Sequence, residues 1–206
     1  MRNSTGSKYV IVFALLFTVA AISIGFAAFT STLTIKSSAE VGGGNFNVSL
    51  STSNSAVATG SVTGTPSPAT GGPTAQAATL SATTIQGLKA TFTAPGQSVK
   101  YSFYAFNAGE FLAYLNSVSI GGKTCTPGSG TTASYVTSAC NGISLSVKVG
   151  SNTYNASNTN ISSHTLAKNA GEAVEVTISY AAGSATADGD FTVAFGDTTL
   201  IYGSAD

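Results

Sequence analysis

Few side chains in this sequence could do chemistry. Among its 206 residues there is one histidine, His164, and there are two cysteines, Cys125 and Cys140. General acid–base catalysis needs titrating groups brought together, and a cysteine nucleophile needs a free thiolate. His164 lies in the polar stretch SSHTLAK, so we predict a solvated position at a strand end for it. A single histidine also excludes a zinc site of the HExxH kind. The sequence therefore predicts no enzyme, no metal site and no cofactor.

The acidic and amide residues add only weak candidates. Asp188 and Asp190 flank one glycine and could offer oxygen ligands to calcium, which takes several of them. Because the Asp-Gly-Asp triplet is too short for a calcium-binding loop, we interpret it as a turn before a strand. Asn47, Asn155 and Asn160 each begin an Asn-x-Ser sequon, which makes them candidate glycan acceptors if the host glycosylates them.

The two cysteines fit an exported protein. An even number of cysteines in a secreted chain favours a disulfide, and the segment between Cys125 and Cys140 is polar and contains Gly and Pro. Closing a loop of that length stabilises a fold by about 3 kcal/mol in the chain-entropy model. The alternative is a pair of unrelated buried thiols.

The charge balance excludes another class of partner. Only 8% of the residues are charged, and eight basic residues balance eight acidic ones. Nucleic-acid binding needs clustered Lys and Arg, so no nucleic-acid partner is predicted. Hydrophobic residues make up 43% of the chain and many alternate with polar ones, which favours a folded domain over disorder.

The N-terminus predicts export. A short basic start that carries Arg2 and Lys8 precedes the uncharged apolar run Tyr9–Phe29, which is long enough to span a bilayer as a helix. The small residues of Gly25-Phe26-Ala27 suit a signal peptidase, so we predict cleavage between Ala27 and Ala28. Retention of residues 1–27 as a membrane anchor is the alternative. Either way we expect an extracellular location at the cell surface, and with cleavage the protein meets the membrane only during export.

After this apolar run the hydrophobic period changes from helical to two. Between residues 29 and 41 the odd positions are mostly apolar, and the even positions are all polar, as a half-buried strand requires. Three glycines follow at once and make a flexible joint. We therefore divide the chain into residues 1–27, residues 28–44 and a β-domain at 45–206. The apolar strand residues are Phe29, Leu33, Ile35 and Val41, and the joint is Gly42, Gly43 and Gly44.

The rest of the chain predicts an all-β fold. Short alternating segments recur with turn signals between them, and no apolar stretch after residue 30 has a helical period, which favours an antiparallel β-sandwich of jelly-roll or immunoglobulin-like type. Residues 53–78 are rich in Ser, Thr, Gly, Ala and Pro, so we predict a long loop or a poorly ordered insertion. The predicted strands are Phe46–Leu50, Leu88–Phe92, Val99–Ala105, Leu112–Ile120, Ile143–Val149, Val174–Tyr180, Phe191–Phe195 and Thr198–Tyr202.

Two segments resemble the TasA/camelysin family. The first is GFAAFTSTLTI (residues 25–35), in which an apolar signal runs straight into an alternating strand. The second is LKATFTAPGQSVKYSFYAFNAGEFLAYL (residues 88–115), a strand, a Pro-Gly turn, a second strand and an Asn-x-Gly turn. The likeness covers most of the chain in architecture, and its motifs are moderately specific.

The resemblance implies a jelly-roll subunit of biofilm-matrix fibres or of related archaeal bundling pili. In that family the mature N-terminal segment completes the sheet of a neighbouring subunit, which here maps onto Ala28 to about Val41, with Phe29, Leu33 and Ile35 as buried plugs. A metalloprotease activity has been ascribed to the family, but this sequence offers no set of zinc ligands for it. The disulfide, the Pro-rich stretch and the low charge depart from the better-known bacterial members, which leaves a bacterial or an archaeal host open.

Physical reasoning supports strand exchange as well. A strand added to an open sheet edge gains main-chain hydrogen bonds, and a head-to-tail contact between identical subunits yields a filament. The alternative is that the strand belongs to its own sandwich. Two other functions remain: a type IV pilin-like subunit with a retained helix, or a membrane-anchored monomeric surface or carbohydrate-binding domain. A cluster of exposed aromatic residues would favour the last, and the candidates are Tyr101, Tyr104, Phe106 and Tyr114.

Overall fold

The computed structural model describes residues 45–159, 161 and 163–204, and there the chain is built mainly of antiparallel strands. The predicted antiparallel all-β class is confirmed. Within the described part, no helix is long and apolar enough to cross a bilayer. The elements are β1 (Val48–Ser51), β2 (Ser61–Thr63), β3 (Thr65–Ser67), β4 (Thr74–Ala75), β5 (Ala77–Ser81), β6 (Thr84–Gln86), β7 (Lys89–Phe92), β8 (Ser98–Asn107), β9 (Ala113–Ser119), β10 (Lys123–Pro127), α1 (Ala133–Cys140), β11 (Ile143–Val149), β12 (Asn152–Tyr154), β13 (Asn158–Thr159), β14 (Thr165–Leu166), β15 (Gly171–Tyr180), β16 (Phe191–Phe195) and β17 (Thr198–Ser204).

The first layer is a sheet centred on its two longest strands, β8 and β15. They pair from Gly171 opposite Phe106 to Ser179 opposite Ser98. The sheet has the order β1–β8–β15–β11–β12, and β3 pairs with the same edge of β8 as β1 does. Buried residues alternate with more exposed ones along β8, β11 and β15, because successive side chains point to opposite faces of a sheet.

The second layer consists of two sheets, and the chain passes directly between a strand of one sheet and a strand of the other. One has the order β10–β16–β7–β4 and the other the order β13–β9–β17–β6–β5–β2, with β14 also on β9. Each strand of the first order is joined by a few residues to β9, β17, β6 or β5 of the second. At the break, a Cβ on Gly121 would lie 2.3 Å from the carbonyl carbon of Gly196. Only glycine fits there, and the two turns are joined by a hydrogen bond from the N–H of Gly196 to the carbonyl oxygen of Gly122 at 2.8 Å.

A single hydrophobic core joins the two layers. It contains Tyr101 and Val176 of the first layer together with Phe92, Leu115 and Leu200 of the second, all of them fully buried. Burying an apolar side chain of this size stabilises a fold by about 1.5–3 kcal/mol. The described chain is therefore a β-sandwich, as predicted.

One side of the sandwich is closed by residues 61–67, which cross from one layer to the other. The predicted loop or poorly ordered insertion at 53–78 is wrong here, because β2 pairs with β5 of the second layer and β3 with β8 of the first. Gly64 lies at the crossing, where an added Cβ would be 2.5 Å from Cγ1 of Val99 and 2.9 Å from Cζ of Tyr101. The Ser, Thr, Gly and Pro composition thus makes a thin, closely packed crossing strand.

The opposite side is partly closed by α1, a helix that the sequence did not predict. Its residues Val136 and Ala139 are buried. Cys140 at its end is bonded to Cys125 of β10, with the two Cα atoms 6.1 Å apart, so the predicted disulfide is confirmed. Nζ of Lys123 donates a hydrogen bond to the Cys140 carbonyl oxygen at 2.6 Å. These two links fasten the end of the helix to β10.

Candidate functional site

The candidate functional site begins where the chain enters the sandwich. The carbonyl oxygens of Asn45 and Asn47 accept hydrogen bonds from the N–H groups of Glu110 and Ala108, both at 2.8 Å. In an antiparallel pair, neighbouring residues present their main-chain groups to opposite edges. The N–H and C=O groups of the alternate residues Phe46, Val48 and Leu50 therefore face away from β8.

This outward edge of β1 is only partly occupied. The N–H of Leu50 donates to the carbonyl oxygen of Ala82 in the β5–β6 turn. Between Phe46 and Val48, by contrast, no strand of the described residues pairs with the outward edge. Val48 and Leu50 are buried in the core, whereas Phe46 is 38% exposed.

A second unpaired edge lies on β17. β6 pairs with β17 only at Thr198 and Thr199. The N–H of Leu200 then donates a hydrogen bond to the carbonyl oxygen of Thr83 at 2.8 Å. β9 pairs with the other edge of β17 as far as Ser204. From Ile201 to Ser204, one edge of β17 thus has no strand partner within the described part of the chain.

The two free edges border on the same turn and extend from it toward the same end of the sandwich. The adjacent residues Ala82 and Thr83 bond to β1 and to β17 respectively, so the β5–β6 turn lies between the two edges. Ser204 pairs with Ala113, which follows the same turn that bonds to Asn45. Both edges therefore run from the β5–β6 turn to the same end of the sandwich. We call the space between Phe46–Val48 and Ile201–Ser204 the strand gap.

The strand gap presents the chemistry of a sheet edge. Unpaired N–H and C=O groups in a row are a template for another strand, and natural proteins normally cover or charge such edges. The described residues 45–48 and 201–204 include no charged side chain that would discourage pairing. The arrangement can therefore accept an extended peptide by main-chain hydrogen bonding.

Asn107 organises the end of the sandwich next to the gap. Its side chain is fully buried, and its Oδ1 accepts a hydrogen bond from the N–H of Gly109 at 3.0 Å. Its Nδ2 donates to the carbonyl oxygens of Phe111 at 2.8 Å and Leu166 at 3.1 Å. These three bonds hold the turn against which Asn45 lies. The Asn-x-Gly motif predicted a turn here, but only the fold brings Leu166 to the same amide.

His164 is placed differently from the prediction. It is 8% exposed rather than solvated, its Nε2 lies 2.5 Å from Oε2 of Glu172, and its Nδ1 lies 3.0 Å from Nδ2 of Asn152. Because an amide nitrogen only donates, Nδ1 accepts and Nε2–H donates to the carboxylate. Gly150 permits the arrangement, since its φ is +56° and a Cβ there would lie 2.1 Å from Oε1 of Glu172. The pair fastens the β12–β14 excursion to β15.

Two tyrosines lie near this pair. Burial raises the pKa of Tyr202, and the negative charge of Glu172 and the neighbouring Tyr154 raise it further. Burial and Glu172 also raise the pKa of the Tyr154 phenol. The Tyr202 hydroxyl is buried without a hydrogen-bond partner among the described residues. Both phenols therefore stay neutral at ordinary pH.

Several of the predicted functional residues lie outside the described part of the chain. The signal segment, the domain boundaries before residue 45 and Asn160 of the third sequon also lie outside the described residues. The asparagines of the other two sequons, Asn47 and Asn155, are exposed. The predicted positions that are not described are the cleavage pair Ala27 and Ala28, the strand residues Phe29, Leu33, Ile35 and Val41, and the joint Gly42, Gly43 and Gly44.

The aromatic candidates do not form an exposed cluster. Tyr101 is fully buried and Phe106 is 5% exposed. The other two, Tyr104 and Tyr114, are half-buried and belong to β8 and β9, which lie in different layers. The fold thus does not bring the four rings together on one face.

The acidic pair is used within the fold. The carboxylate of Asp188 accepts hydrogen bonds from the hydroxyl and the N–H of Thr132, at 2.5 and 2.9 Å, and these bonds lower its pKa. The carbonyl oxygen of Asp190 accepts from Gly128 and Thr131. In the described residues, no group of three or more His, Cys, Asp or Glu side chains is arranged to hold a metal ion.

A scan against models of protein families found no match, and searches of the curated proteins and of the solved structures found no similar protein. The resemblance to the TasA/camelysin family therefore rests on the sequence motifs alone.

Proposed function

We propose that this protein is a non-enzymatic structural subunit of an extracellular filament, such as a biofilm-matrix fibre or a bundling pilus. Each subunit donates the strand from Ala28 to Val41 to the next subunit, where Phe29, Leu33 and Ile35 enter the core. Identical subunits follow one another head to tail, without a cofactor.

The strand gap is the observation that carries this proposal. A strand laid between β1 and β17 gains main-chain hydrogen bonds, each worth about 0.5–1.5 kcal/mol net, and directs alternate side chains toward the core. The gap opens at the end of the sandwich where Asn45 begins the described chain. The alternating strand and its triple-glycine joint immediately precede this point in the sequence.

The order of the strands supports the jelly-roll type that the resemblance implies. β7 lies in the second layer, β8 in the first, β10 in the second and β11 in the first. Later in the chain, β15 pairs with β8 and β16 pairs with β7. In this nested pairing, outer strands enclose inner ones, as in a jelly roll. The disulfide supports an extracellular location, because such bonds persist in oxidising compartments.

N-terminal sequencing of the surface-associated protein, combined with electron microscopy of the same sample, tests the proposal. We expect a mature chain that starts at Ala28 and forms filaments. A start near Met1 or Gly6 would contradict strand donation and favour a retained helix. Deleting residues 28–41 after the signal should abolish filaments, and persistence of filaments would show that this segment is not the link.

A matched pair of variants separates the two faces of the donated strand. Leu33→Asp with Ile35→Asp puts charge on the buried row and should abolish filaments, because a buried unpaired charge is costly. Thr32→Asp with Thr34→Asp puts the same charge on the solvent row and should leave filaments intact. Equal effects of the two pairs would contradict the predicted orientation of the strand.

A further inference from the structure

We propose that the end of the sandwich around Asn45 is the surface through which successive copies of this chain touch each other. The contact is made by Phe46, Phe111 and Leu112, which we call the end patch. This inference rests on the proposed strand donation and adds the second surface that a filament of such subunits needs.

The two segments that carry the end patch are neighbours in the fold. The hydrogen bond from the N–H of Glu110 to Asn45 joins these two segments. Phe46 follows Asn45 directly, and Phe111 and Leu112 follow Glu110. The three are 38%, 40% and 41% exposed, so each keeps a large apolar surface in water. Adjacent exposed apolar side chains mark interaction surfaces more often than isolated ones do.

The length of the joint determines what covers this patch. If the donated strand pairs antiparallel to β1, its last residue, Val41, lies at the mouth of the accepting copy's gap, and four residue steps separate it from Asn45 of the donating copy. A fully extended chain spans about 3.3–3.6 Å per residue, so this link reaches about 14 Å at most. The donor's Asn45 must therefore lie within that distance of the acceptor's gap.

The position of the gap then brings the donor's end patch to the mouth of the acceptor's gap, a heterologous contact that can repeat along a filament. Its mouth lies at the end of the sandwich that holds Asn45, Ala113 and Ser204. A donor whose Asn45 lies within about 14 Å of that mouth places its own end patch beside the same end of the acceptor. Covering the exposed apolar surface of the donor's end patch favours this contact. The occupant of the end patch is thus a second copy of the chain.

Photo-crosslinking in assembled filaments tests the inference. Phe111 is replaced by p-benzoylphenylalanine in the full chain, and in a second variant Leu112 is replaced, in case the first does not assemble. The control replaces Tyr135, which is 54% exposed and belongs to α1, the helix that is bonded to β10 on a side of the sandwich. We expect covalent dimers from the end-patch positions and few from position 135.

The outcomes distinguish this inference from the proposed function. Filaments that require residues 28–41 but crosslink from position 135 and not from 111 or 112 would overturn the end-patch contact and leave strand donation standing. Absence of filaments from the unmodified chain would overturn both. As a second readout, Phe111→Ser with Leu112→Ser should raise the protein concentration needed for assembly about tenfold, a change that corresponds to modest apolar burial. No change in that concentration would also count against the contact.

Discussion

Two buried tyrosines, Tyr101 and Tyr202, differ in what their hydroxyl groups contact. The hydroxyl of Tyr101 lies 2.9 Å from the carbonyl oxygens of both Gln76 and Lys89. The hydroxyl of Tyr202 is buried without a partner among the described residues. A buried polar group without a partner costs about 1–3 kcal/mol, whereas a satisfied one contributes to stability. The same side chain is therefore stabilising at one position and costly at the other.

We expect Tyr202→Phe and Tyr101→Phe to have opposite effects. At neutral pH, Tyr202→Phe should raise the free energy of unfolding by about 1 kcal/mol, because it removes an unpaired hydroxyl. Tyr101→Phe should lower it by about 1–2 kcal/mol, because the Gln76 carbonyl loses its donor. Urea denaturation measures both. A loss of stability in Tyr202→Phe would mean that its hydroxyl has a partner.

The same residue predicts behaviour at high pH. The pKa of Tyr202 is raised in the fold, so above pH 10, the ordinary value, the unfolded chain releases a proton that the folded one keeps. The free energy of unfolding is thus unaffected by this ionisation below pH 10 and falls as the pH rises above it. Tyr202→Phe should make this decline shallower by up to about 1.4 kcal/mol per pH unit above pH 10, measured by urea denaturation between pH 9 and 11. An unchanged slope would contradict the raised pKa.

At the scale of elements, the thin crossing of residues 61–67 depends on Gly64. An added Cβ would lie 2.7 Å from Cβ of Ala75 as well as close to Val99 and Tyr101. We expect Gly64→Ala to lower the free energy of unfolding by about 2–3 kcal/mol, because overpacking a core forces its neighbours to shift. Gly122→Ala is the control, since nothing lies within 4 Å of its added Cβ, and it should change stability by less than about 0.5 kcal/mol. Similar losses in both variants would show that the crossing is not closely packed.

Local alternation predicted the main strands but not the elements that close the sides of the sandwich. Val174, Val176 and Ile178 repeat with a period of two, and such a row is visible within one strand. α1 buries only Val136 and Ala139, and one pair of apolar residues is too short a signal for a helical period. The strand at 61–67 has a composition typical of loops, and it is ordered by β5 and β8, which are distant in sequence.

The candidate site was still harder to predict. Whether this edge of β17 is paired depends on how far β6 extends. The length of β6 cannot be inferred from the types of residues 201–204. His164 was predicted to be solvated because its sequence neighbours are polar, but it lies in a loop and its partner Glu172 belongs to β15. The sequence could nominate the donated strand from its own alternation, whereas its acceptor is a relation between β1, β17 and the β5–β6 turn.

At the scale of the whole molecule, strand donation predicts that the sandwich can be completed from outside. The chain from residue 45 onward, produced alone, should be monomeric with the strand gap open, and a synthetic peptide of residues 28–41 should bind it. At a peptide concentration of 100 times Kd, binding stabilises the fold by about 2.7 kcal/mol, which corresponds to a rise in Tm of about 5–11 °C for a domain of this size. The same peptide with Leu33→Asp and Ile35→Asp should give no rise, because its buried row is charged. Since residues 28–41 carry one Lys and one Glu, the peptide has no net charge, and its binding should change little between low and high salt, unlike association driven by opposite charges. Equal shifts from both peptides, or none from either, would mean that the gap between β1 and β17 does not accept this strand.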